Sequence, residues 1–101
     1  MASYPAGAAD LEDGQLRVVD TPHEQLVICR VEGRYYAVEN RCSHDDGPLS
    51  GGWLQGCEIE CPRHGARFDV RTGKPLCMPA VVPISTYPVE EVQGQLKVEV
   101  D

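Results

Sequence analysis

Apolar residues in this chain come in short runs separated by Gly, Pro, Asp and Asn, and no stretch has the period of an amphipathic helix of three or more turns. Leu26 to Val31 and Tyr35 to Glu39 are rich in Val, Ile and Tyr and flank Glu32-Gly33-Arg34, which predicts a β-hairpin. Ile84 to Val92 and Gln95 to Val100 flank Gln93-Gly94 in the same way. The last run alternates, with Leu96, Val98 and Val100 on one face and Lys97, Glu99 and Asp101 on the other, the period of a half-buried strand. Trp53-Leu54, Gln55-Gly56 and Cys57 to Glu60 form one more candidate hairpin, with Trp53 expected to pack under the neighbouring loops. Residues 1 to 15 are dominated by Ala, Gly, Asp and Pro and read as a loose start. The chain is expected to be all-β, built from three small antiparallel sheets.

Between the outer hairpins the composition changes. Residues 41 to 79 hold four of the five Cys, two of the three His and six of the ten Gly. They read as a loop-rich insert on a β scaffold formed by about 1 to 40 and 80 to 101, all within one domain. A chain of 101 residues is too small for a carrier module plus a separate catalytic domain. The net charge of −7 opposes binding to nucleic acid or anionic membranes and suits a basic protein partner. Met1 to Asp10 show no basic n-region and no apolar core of a secretory signal, and no run is long enough to cross a membrane, so a cytoplasmic location is expected. Five cysteines in such a chain argue against a disulfide framework and leave metal binding or burial to account for them.

Cys42-Ser43-His44 and Cys61-Pro62-Arg63-His64 are two mixed Cys/His pairs on Gly/Pro-rich loops, with sixteen residues between His44 and Cys61. Thiolate and imidazole together select iron–sulfur clusters, zinc or copper over oxygen-loving ions. Four ligands complete one tetrahedral zinc, or two irons that share bridging sulfides. The order C-x-H then C-x2-H is similar to the one the Rieske family uses for a [2Fe-2S] centre, in which two His replace two Cys on one iron.

On these residues, and on Cys61-Pro62-Arg63-His64-Gly65-Ala66-Arg67-Phe68-Asp69 followed by Arg71-Thr72-Gly73, the chain resembles small Rieske-type ferredoxins, the electron carriers of bacterial aromatic-ring-hydroxylating dioxygenase systems. The resemblance covers most of the chain. It implies a Rieske-like fold, one [2Fe-2S] cluster with Cys42 and Cys61 on one iron and His44 and His64 on the other, and a monomer that carries single electrons without catalysing a reaction of its own. It also implies a flavin-dependent reductase as donor and a terminal oxygenase or similar iron enzyme as acceptor. Respiratory and photosynthetic relatives add a Cys to each ligand loop and form a disulfide there, but Gly47 and Arg63 stand at those positions here. They also place hydroxyl donors where this chain has Ala66 and Phe68, so the potential is expected toward the low end of the Rieske range of about −150 to +300 mV.

Electron counting fits a protein without acid–base machinery: two ferric ions, two sulfides and two thiolates sum to zero, and reduction adds a single negative charge. Backbone N–H groups at Gly47, Gly51, Gly52 and Gly65 are candidates to face the sulfides, with ordinary turns as the alternative. Asp45 and Asp46 either mark a docking rim or form a solvated loop, and Met78-Pro79-Ala80 occupies the place of a loop that shields the cluster in relatives. Cys29 reads as core, Cys57 and Cys77 as buried thiols outside the ligand set, and His23 as a surface residue. Two other functions compete: an accessory small subunit of a reductase such as nitrite reductase, and a zinc-binding interaction module.

Overall fold

The computed structural model describes residues 2–43 and 46–100. Among them the strands are, in chain order, β1 (Ala2–Ala8), β2 (Leu16–Asp20), β3 (Gln25–Val31), β4 (Arg34–Glu39), β5 (Trp53–Gln55), β6 (Glu58–Glu60), β7 (Arg67–Asp69), β8 (Pro75–Cys77), β9 (Thr86–Tyr87), β10 (Val89–Val92) and β11 (Gln95–Val100). They form three antiparallel sheets in the orders β1-β11-β10, β2-β3-β4-β9 and β5-β6-β7-β8. This is the all-β arrangement of small antiparallel sheets expected from the pattern of short runs. No helix among the described residues is long and apolar enough to cross a membrane.

The second sheet is the centre of the molecule because β3 is covered on both faces. Leu26 and Ile28 point into a core with Leu96, Val98 and Val100, while Val27, Cys29 and Val31 point into a second core with Cys42, Ile59, Cys61 and Phe68. A strand buried on both sides reads as a continuous apolar run, whereas β11, buried on one side, keeps its clean alternation. The hairpins β3–β4 and β10–β11 turn on Glu32-Gly33 and Gln93-Gly94, each with both central residues at positive φ (51° and 78°, 51° and 77°). That is the turn whose twist matches the strands it joins.

Four details depart from the sequence reading. Residues 2–8 are a strand rather than a loose start: β1 pairs with β11, Tyr4 opposite Val98 and Pro5 opposite Lys97. Pro5 is tolerated because β1 is an edge strand, and the register shifts between Pro5 and Ala8. The run 84 to 92 is divided, since Pro88 separates β9, paired with β4, from β10, paired with β11. β2 pairs along its length with β3, although its own pattern carries little signal. The third hairpin turns on Gly56-Cys57, so Cys57 lies in the turn and not in the strand.

Candidate metal centre

Two turns carry the Cys/His pairs. The first leaves β4 through Asn40, a buried amide that donates from Nδ2 to Gln25 Oε1 (2.6 Å) and Ser50 Oγ (3.1 Å) and accepts the Ser50 N–H at 2.8 Å. This pins both ends of the segment 40–50. Within it the Cys42 N–H donates to the Gly47 carbonyl (2.8 Å) and the Asp46 N–H to the Cys42 carbonyl (2.8 Å). The second turn leaves β6 and is closed by the Cys61 N–H on the Ala66 carbonyl (2.7 Å) and the Gly65 N–H on the Cys61 carbonyl (3.2 Å).

Gly52 fixes how the turns approach each other. A Cβ placed on it would lie 1.7 Å from the Glu60 carbonyl oxygen and 3.2 Å from Pro62 Cδ, so the tail of the first turn rests on the chain that enters the second. Gly52 is therefore a contact residue, and its N–H is taken by the Leu49 carbonyl (2.9 Å), as that of Gly65 is by Cys61. The N–H groups of Gly52 and Gly65 thus close turns, where the sequence reading offered them to a cluster. Gly52→Ala is expected to cost at least about 2 kcal/mol, because the colliding atom is backbone and cannot swing aside. Urea denaturation checks this, and a loss under about 0.5 kcal/mol would show that the two segments part easily.

Cys42 and Cys61, nineteen positions apart, are 0% and 1% exposed and join one core with Leu49, Phe68, Val70 and Ala80. His64 is exposed at the tip of the second turn, beside Pro62 and Arg63. His44 and Asp45 lie outside the described residues. The structure thus brings the two thiols into a shared interior and leaves the His64 imidazole, three positions from Cys61, at the surface. Among the described residues no three His, Cys, Asp or Glu side chains converge on a point. A two-iron centre needs no such convergence, since each iron draws on only two protein ligands and the sulfides complete it. Two buried thiols with an imidazole on the outer side fit such a group.

The remaining candidates separate by position. All five cysteines are thiols. Cys29 is fully buried, and burial pushes its thiol up to about 12, so it is an inert core residue as expected. Cys57 and Cys77 are half-buried rather than enclosed. Asp46 is exposed and its carboxylate lies 3.4 Å from Arg41 Nη1, so part of its charge is met locally. His23 is exposed. Trp53 is 60% exposed and does not pack under the loops: it shares a face of the third sheet with Glu60 and Arg67, opposite to the face where Leu54, Ile59 and Phe68 align. The alternation of an edge strand puts it outside. The sequence reading missed Asn40 and Ser50, whose signal is only a polar pair at the two ends of the first turn.

Arg71-Thr72-Gly73 closes the far end of the third sheet. Asp69 accepts the Arg71 N–H (2.9 Å), its carbonyl accepts the Gly73 N–H (2.7 Å), and Gly73 has a φ of 79° with room for no Cβ against the Ile84 carbonyl. The Arg71 guanidinium, hydrogen-bonded to Asp69, holds that carboxyl below the usual aspartate range. A depressed folded value contributes stability that is present above about pH 4 and is lost as pH falls through it. Asp69→Asn is expected to remove this part of the acid sensitivity, seen as a smaller drop in thermal midpoint than the parent shows between about pH 5 and pH 3. Equal drops would assign the acid response to other carboxylates.

Comparison with known proteins defines the class. Residues 4–88 match the family described as Rieske [2Fe-2S] domain. The ferredoxin component of the naphthalene 1,2-dioxygenase system of Pseudomonas putida is 45% identical over 82 residues, covering 81% of this chain and 79% of that protein. The 3-phenylpropionate/cinnamic acid dioxygenase ferredoxin subunit of Shigella flexneri is 38% identical over 97 residues, covering 95% and 91%. Among solved structures, a Sphingomonas yanoikuyae B1 ferredoxin superposes with a TM-score of 0.92 at 29% identity, over 99% of this chain and 100% of the other. A chain of the complex of reduced oxygenase and oxidised ferredoxin in carbazole 1,9a-dioxygenase gives 0.91 at 38% identity, over 95% and 91%. The family match and the fold are those of an iron–sulfur electron-transfer protein. The chain belongs to the Rieske [2Fe-2S] domain family, and its role is that of a ferredoxin, an electron carrier rather than an enzyme.

Proposed function

We propose that Cys42, His44, Cys61 and His64 hold one [2Fe-2S] cluster, with the two Cys on one iron and the two His on the other. The chain would then pass single electrons from a flavin-dependent reductase to the terminal oxygenase of an aromatic-ring dioxygenase system, as a cytoplasmic monomer. The observation that carries this reading is the burial of Cys42 and Cys61 in one core, with His64 exposed in the turn that follows Cys61. When bound, the cluster supplies a one-electron couple whose charge changes by a single unit. The chain's own part is to keep water from the thiolate side, through Leu49, Phe68 and Ala80, and to present the imidazole side to a partner. Ala66 and Phe68 offer no side-chain hydroxyl, which supports a potential low in the family's range. Residues 41–79 serve as the cluster-binding part of the single domain, with 1–40 and 80–101 as its base.

Iron and acid-labile sulfide analysis of purified protein tests this: two of each per chain and a red-brown colour are expected, and colourless protein with one zinc would overturn it. The −7 charge adds a second expectation. Electron transfer to the oxygenase, followed by stopped flow, should slow by about tenfold or more between low and physiological ionic strength, as complementary charges are screened. A rate indifferent to salt would show that charge does not steer the encounter.

A further inference from the structure

Two side-chain hydrogen bonds lie outside the turns' own closure and lead to one segment, 77–83. Ser43, between Cys42 and His44 in sequence, donates from Oγ to the Val82 carbonyl at 2.5 Å, across 39 positions of chain. Cys77 donates from Sγ to the carbonyl of Gly65, the residue after His64, at 3.5 Å. The segment is itself braced, since the Ala80 N–H donates to the Cys77 carbonyl (3.2 Å) and Ala80 is buried in the core that holds Cys42 and Cys61. The side chains of Met78, Val81 and Val82 face solvent, and Pro79 is half-buried.

We propose that Ser43 and Cys77 are positioning residues that tie the two ligand turns to segment 77–83, so that one strap sets both their spacing and the water access to the centre between them. This rests on the reading that the turns hold a cluster. Neither side chain is a ligand. Each contacts the strap or the turn through a main-chain carbonyl, which a substitution elsewhere cannot replace. The sign of the effect follows from charge. Reduction adds a negative charge, and a low-dielectric surround disfavours it. Loosening the strap admits water, favours the reduced state and raises the potential.

The test uses the cluster-loaded full-length protein and four variants, Ser43→Ala, Ser43→Thr, Cys77→Ala and Thr21→Ala. Thr21 makes a comparable hydroxyl-to-carbonyl bond to Glu24 (2.7 Å) in a distant turn and controls for lost stability. Ser43→Ala and Cys77→Ala are expected to raise the reduction potential and to speed iron loss to a chelator by roughly three- to tenfold each, the range for one lost hydrogen bond. Ser43→Thr keeps the hydroxyl and should match the parent, as should Thr21→Ala. The inference is overturned if potentials and loss rates of the two Ala variants equal those of the parent, or if Thr21→Ala changes them as much. If instead the parent itself carries no iron and sulfide, the cluster reading fails first and independently.

Discussion

Loss of colour and of iron is expected when Cys61 is replaced by serine, and equally for Cys42→Ser, with iron content after desalting down by at least about tenfold. Iron–sulfur centres are held by thiolates, and a serine hydroxyl stays protonated at neutral pH and is a harder, weaker ligand. Both positions are buried in an apolar core, so the new oxygen meets no water that would help it ionise. Cys29→Ser is the informative contrast. Cys29 is as deeply buried and belongs to the same core, so the hydroxyl there costs a similar amount of stability, about 1–3 kcal/mol. It should nevertheless keep its iron. Measured together, iron content and urea midpoint separate ligation from packing: all three variants should be destabilised, and only two should be colourless. A red-brown Cys61→Ser protein, or a colourless Cys29→Ser one, would reassign the ligands.

The parts of this protein that were legible in its sequence are those set by near neighbours. Glu32-Gly33 and Gln93-Gly94 announce their hairpins because two adjacent residues must both take positive φ. The alternation of β11 survives because one face is buried and the other wet. The Cys/His pairs were readable because each falls within four positions of chain. What was hidden depends on distant partners. β1 looks like a loose tail until it meets β11, some ninety positions away. A run such as 84–92 does not show that Pro88 hands the chain from one sheet to another. Trp53 is a large apolar residue in a cysteine-rich region, and burial was the natural expectation, yet the register of a three-residue edge strand sends it outward. The partners of Asn40, Ser43 and Cys77 leave no mark in the sequence, because Gln25 and Ser50, the Val82 carbonyl and the Gly65 carbonyl are brought to them by the fold.

Phe68→Ala is expected to be the most damaging substitution outside Cys42, His44, Cys61 and His64, with a loss of about 4 kcal/mol. Phe68 is the largest fully buried side chain among the described residues, on β7 between the turn that Cys61 opens and the Asp69 turn, and it packs in the core that includes Cys42 and Cys61. Removing its ring leaves a cavity beneath both turns. Their backbone closures, Cys42 on Gly47 and Cys61 on Ala66, hold each turn's shape but not its seat on the sheet. Against a total stability of about 5–15 kcal/mol for a domain of this size, the loss should lower the thermal midpoint by about 20 °C. Phe68→Leu, which refills most of the volume, should cost only about 1–1.5 kcal/mol. Iron release to a chelator should follow the same order, fastest for the alanine variant, because the floor that keeps water from the thiolate side is gone. A loss below about 1 kcal/mol for Phe68→Ala would show that the turns are held by their own hydrogen bonds and contacts such as that of Gly52 with Glu60, and that the core beneath contributes little to the site.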